Sequence, residues 1–220
     1  MRGGNESIVT VSGSIDVSDT APGRRGGDVV ITGDGVALLG ANIDASGAVG
    51  GGQIHIGGGF QGNDPTIDHA SRLNVNRQTT LRADATQSGD GGEIVMWSDD
   101  ATLFTGRASA RGGQAGGNGG LVEVSSSGWL GFYGIVDTSA PLGKNGLLLL
   151  DPDNIVIVSG DAGDGADDML LDDNQLPASD AAGMDVQISD GTIEALADTD
   201  ILIAATGNIS IGNLADGSLA

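Results

Sequence analysis

A glycine pair followed by a short run with apolar residues at its second and fourth positions occurs five times in this 220-residue chain. The copies read Gly27-Asp28-Val29-Val30-Ile31, Gly52-Gln53-Ile54-His55-Ile56, Gly92-Glu93-Ile94-Val95-Met96, Gly120-Leu121-Val122-Glu123-Val124 and Gly146-Leu147-Leu148-Leu149-Leu150. The second glycines stand at 27, 52, 92, 120 and 146, which sets intervals of 25, 40, 28 and 26 residues. A recurrence of that size is the mark of a solenoid, in which each unit buries its apolar face only against the next. Successive side chains on a strand point to opposite faces. Val29, Ile54, Ile94, Val122 and Leu148 are therefore predicted to form one inward column, and Ile31, Ile56, Met96, Val124 and Leu150 a second. All ten are apolar in a chain that is 39% hydrophobic, an outcome chance delivers roughly once in ten thousand trials.

A second run follows the first within each period. Residues 36–46 are answered by 129–139, more loosely by 79–86 and 101–111, and the same ending opens the chain as Ser14-Ile15-Asp16-Val17-Ser18. Short β-rich runs between glycine and polar corners suggest about three strands per coil. The predicted fold is all-β: a right-handed, triangular parallel β-helix over 1–150, each coil adding about 4.8 Å and pairing its edges with the coils on either side. Composition agrees, because 40 glycines and only six aromatic residues suit close corners and thin aliphatic ladders better than a globular core.

The long interval carries an insertion near 57–76, where Gly57-Gly58-Gly59-Phe60-Gln61-Gly62-Asn63-Asp64-Pro65 reads as a loop leaving one corner. After Leu150 the periodicity stops. A strand at 155–158 precedes an acidic stretch, 159–182, whose composition predicts a mobile excursion. Strands at 185–188, 201–204 and 209–211, with a short helix at 192–197 capped by Asp190, then make 151–220 a C-terminal continuation or cap.

Charge narrows the partners. Residues 1–150 hold nine bases against 15 acids, a balance of −6, whereas 151–220 hold 15 acids and no base, for −15. Nucleic acid is an unsuitable partner, since phosphate neutralisation needs clustered Lys and Arg. There is no cysteine, hence no disulfide framework or thiolate metal site. No apolar run is long enough to span a membrane. The opening Met1-Arg2-Gly3-Gly4-Asn5 has no apolar signal core and enters as though at a repeat corner, so the chain reads as a fragment of something longer.

Several motifs, in order, carry a resemblance. They are Asn42-Ile43-Asp44-Ala45-Ser46-Gly47, Phe60-Gln61-Gly62, Leu81-Arg82-Ala83-Asp84-Ala85, Gly91-Gly92-Glu93-Ile94-Val95-Met96-Trp97-Ser98-Asp99 and Gly116-Gly117-Asn118-Gly119-Gly120. Leu147-Leu148-Leu149-Leu150-Asp151-Pro152 and Ile193-Glu194-Ala195-Leu196 continue the series. Through them the chain resembles the large exoproteins of the filamentous haemagglutinin family, from about residue 5 to 215. The resemblance implies export by two-partner secretion, with an outer-membrane transporter as the parent protein's partner, and a β-helical shaft at the Gram-negative cell surface. Its implied roles are adhesion, aggregation or biofilm formation, without catalytic residues. Binding to a cell-surface, matrix or glycan receptor is expected under that reading.

Candidate chemistry is sparse. Asp16, Asp44, Asp84 and Asp137 recur at matching positions, and stacked carboxylates about 4.8 Å apart repel one another. Two readings follow: a row of divalent cations along one edge, or solvated carboxylates that accept corner N–H groups. Asp161, Asp164, Asp167 and Asp168 alternate with glycine as calcium loops do, but lack the regular ligand spacing, leaving weak Ca²⁺ binding as the only cofactor expectation. Trp97 continues the alternation outward beyond Met96, where an exposed indole would stack on a sugar ring or else pack against neighbouring residues. A carbohydrate-active lyase or glycosidase would need convergent carboxylates. Asp99-Asp100 would diverge on a strand, and His55 and His69 read as surface or loop residues. A third alternative is end-to-end self-association through open strand edges, giving a filament.

Overall fold

The computed structural model describes residues 1, 7–158, 186–196, 198–205 and 207–212. Strands β1 (Ile8–Val11) and β2 (Ser14–Asp16) lead into four coils of three strands each. The coils are β3 (Asp28–Ile31), β4 (Gly35–Leu38) and β5 (Asn42–Asp44); β6 (Gln53–Ile56), β7 (Arg72–Val75) and β8 (Thr80–Arg82); β9 (Glu93–Ser98), β10 (Ala101–Phe104) and β11 (Arg107–Ser109); and β12 (Leu121–Ser126), β13 (Trp129–Phe132) and β14 (Ile135–Asp137). Strands β15 (Leu147–Asp151), β16 (Ile155–Val158) and β17 (Val186–Ser189), helix α1 (Asp190–Glu194), β18 (Asp200–Ile203) and β19 (Ile209–Ile211) follow.

Each coil contributes one strand to each of three walls. The first wall runs β3-β6-β9-β12-β15-β18, the second β1-β4-β7-β10-β13 and the third β2-β5-β8-β11-β14. Pairing within all three is parallel. The fold is a parallel β-helix. Its inward columns are those the glycine pattern predicts: Val29, Ile54, Ile94, Val122 and Leu148 are in register, as are Ile31, Ile56, Met96, Val124 and Leu150. Val29 is 6% exposed and the other nine are fully buried. At about 25 cal/mol per Å² of apolar surface, burying each such side chain contributes roughly 1.5–3 kcal/mol. The second wall adds Leu38, Val75, Phe104 and Phe132 in one file, with the two rings 5.7 Å apart.

The glycine pairs are required by closeness between coils. A Cβ on Gly92 would overlap the carbonyl oxygen of Gly52, and one on Gly91 that of Ala110. Backbones that close leave no room for a side chain, so the corner admits glycine alone.

Two details of register differ from the sequence reading. Aligning 36–46 with 129–139 sets Val36 opposite Trp129, whereas the pairings carry Val36 through Leu73 and Thr102 to Leu130. Shifting a strand by one residue exchanges its faces. The β4–β5 corner absorbs the extra residue, with Gly40 at φ 74. Nor does Asp84 stack on Asp44. Arg82 does, so the row reads Asp16, Asp44, Arg82, Ser109, Asp137. The expected carboxylate ladder is broken at its centre by a cation, and Asp84, two residues on, meets Arg111 instead.

The first wall continues past Leu150: Ile201 and Ile203 of β18 extend the two columns. Between β17 and β18 the short helix starts earlier than predicted. Ser189, not Asp190, is the cap, its hydroxyl accepting the Thr192 N–H at 3.1 Å, and Asp190 lies in the first turn. The predicted excursion at 159–182 lies outside the described residues.

Candidate functional site under the inserted loop

The outward positions of the first wall would ordinarily face water. In the middle coils they do not. Residues 57–71, which join β6 to β7, fold back across the outer surface of β9 and β12 through a 3-10 turn at Phe60–Gly62. Beneath them Val95 and Glu123 are fully buried, and Leu149, the next outward position of that row, is 2% exposed.

Trp97 anchors this cover. Its side chain does leave the core, as the alternation predicts, but the indole is only 8% exposed. The backbone at Gly58 and Gly62 presses on the ring so closely that a Cβ on either would lie 2.6 Å from an indole carbon. Gly62 also takes φ 62, a left-handed conformation that glycine adopts without strain. At one edge the indole N–H reaches Asp99 at 3.4 Å, while His69 Nδ1 lies 2.9 Å from the same carboxylate oxygen. Of the two readings of Trp97, the packed one is found: the ring lies against loop backbone and leaves no open face for a saccharide.

Glu123 is the second anchor. The Gln61 backbone N–H is shared between its two carboxylate oxygens at 3.1 and 3.0 Å, and the Gln61 side-chain amide donates to Asp151 at 3.4 Å. Gln61 itself has φ 52, a conformation uncommon outside glycine and asparagine. Burial drives the Glu123 carboxyl up to about 7, against the partial relief of the Gln61 N–H and with a further upward push from Asp151 and Glu93. On the neighbouring rung His55 Nε2 meets Glu93 at 2.6 Å. Both histidines thus have carboxylate partners at the margin of the cover.

Chemically, this is a closed polar seat. Its one deeply buried carboxylate is shut off from solvent by loop backbone, so no substrate atom can approach it while the loop is down. Asp99 and Asp100, expected on a strand, lie in the β9–β10 turn and are both exposed. Asp161, Asp164, Asp167 and Asp168 lie outside the described residues. Among the described residues no group of three or more His, Asp or Glu is placed to hold a metal ion, and no helix is long and apolar enough to cross a membrane.

The sequence reading passed over Glu123 and Gln61, which meet across 62 positions of chain. A usable signal was present: the outward positions at 95 and 149 are Val and Leu, residues that belong under a cover. No family model matches the chain, and no curated protein matches it.

Proposed function

We propose that this chain is a non-catalytic shaft segment of a secreted bacterial surface exoprotein, whose rigid β-helix supports adhesion, aggregation or biofilm formation. The observation that carries this reading is the uninterrupted first wall, six parallel strands from β3 to β18 over two aliphatic files. Such a stack grows in length without changing its cross-section, which suits a spacer that holds contact surfaces away from a cell. The sealed state of Glu123, the most deeply buried carboxylate among the described residues, favours this role over a lyase or glycosidase. Export through an outer-membrane transporter belongs to the same proposal, on the strength of the family resemblance. Microspheres coated with the purified chain are expected to adhere to cultured epithelial cells above spheres coated with an unrelated acidic protein. Equal adhesion of the two would overturn the adhesive role, and release of reducing ends from a polysaccharide panel would overturn the non-catalytic one.

A further inference from the structure

A groove of about 330 Å³ opens where the corner between the second and third walls meets helix α1. Arg77, Arg107 and Thr105 supply its polar lining, and Tyr133, Ile135 and Leu196 its apolar side. Pockets of this size with apolar walls and a few convergent polar groups are the usual form of small-ligand sites.

The arginines distinguish this groove from the rest of the surface. The chain carries a net charge of −21, and elsewhere on the third wall the arginines are paired: Arg82 with Asp44 at 3.1 Å, Arg111 with Asp84 at 2.8 Å. Among the described residues Arg107 has no such neighbour. Its register partners are Thr80 and Ile135, and both it and Arg77 are exposed. Neither guanidinium has a side-chain partner among the described residues. The backbone brings them to one place, because the Arg107 N–H donates to Thr79 at 3.0 Å and Thr79 closes the turn that carries Arg77. Two guanidinium groups without a side-chain partner among the described residues, beside a tyrosine ring, form a recognisable combination. Planar forks match a carboxylate, and a flat, amphipathic ring provides a surface for the carbon face of a sugar.

We propose that this groove binds an acidic sugar residue, its carboxylate held by Arg77 and Arg107 and its ring lying toward Tyr133. The inference goes beyond the adhesive-shaft reading and stands independently of it: microsphere adhesion can fail while the groove binds, and the reverse. The probe is tetragalacturonate, titrated calorimetrically into the whole chain at low ionic strength. Saturable binding is expected, weakened by about 0.5 M salt. The double variant Arg77→Ala/Arg107→Ala should raise Kd about tenfold or more, with an unchanged thermal melt because both side chains are exposed. The fully methyl-esterified tetrasaccharide should lose affinity to a similar extent. No saturable heat, equal affinity for the ester, or an unaltered Kd in the double variant would each overturn the proposal. Equal affinity for a tetraglutamate peptide would overturn it as well, since the groove would then be reading charge and not sugar.

Discussion

Glu123 shows how one buried side chain can set the pH response of a coil. Its carboxyl titrates near 7 in the folded chain, against 4.5 for the ordinary group. Below about 4.5 both states hold the proton, between 4.5 and 7 only the folded state does, and above 7 neither does. The folded state binds more protons in that window, so stability falls as pH rises through it and levels off above, by on the order of 3 kcal/mol. Asp16, Asp19 and Asp64 act in the opposite sense at lower pH. The Ser18 hydroxyl, the Arg24 guanidinium and the Thr66 hydroxyl, respectively, hold them below the usual carboxylate range, so their contribution disappears only as the medium turns strongly acidic. The difference between the parent chain and Glu123→Gln in thermal melts at pH 5 and pH 8 therefore reports on Glu123. The wild-type chain is expected to melt lower at pH 8, and Glu123→Gln to lose less between the two. A wild-type profile that is flat between the two, or a variant as pH-sensitive as its parent, would contradict this assignment.

At the scale of elements, the inserted loop and the corners divide the legible from the illegible. The inward columns could be read directly, because Ile54, Ile94 and Val122 sit at a fixed offset from a glycine pair that tolerates no Cβ. The second wall could not, because its offset from the third depends on corner length. Four residues lie between Leu38 and Ile43 and three between Phe132 and Val136, so an alignment anchored on Asp44 and Asp137 slips by one on the preceding strand. The outward direction of Trp97 is legible in the alternation, but the choice between an open and a packed ring is not, since its cover comes from glycines some 40 residues away whose role only the folded loop reveals. The cap of α1 was misplaced by one residue because Ser189 and Asp190 are both good caps in sequence. Trp97→Ala should cost about 3 kcal/mol or more and detach residues 57–71. Chymotryptic cleavage after Phe60 is the readout: faster in the variant if the indole holds the loop, unchanged if it does not.

For the molecule as a whole, stability is built from neighbour-on-neighbour terms along one axis, not from a single centre. Position along the stack therefore matters as much as burial. Ile94→Asp places an unpaired charge between two fully formed coils, at a cost of several kcal/mol. Val29→Asp places the same charge on the terminal strand of the first wall, whose far edge meets only Met1 among the described residues, so its effect should be smaller and confined to one end. Urea titration of the two variants tests this, with the central substitution expected to shift the midpoint further; equal shifts would mean a core shared evenly throughout. The corners, by contrast, absorb change. A 15-residue detour between β6 and β7 leaves Val36 stacked on Leu73, and Leu38 on Val75, without a step. Such a body can acquire new outgrowths at its vertices while its interior wallpaper stays the same, so a lineage or an engineer can rewrite what it presents to the world without relearning how to stand.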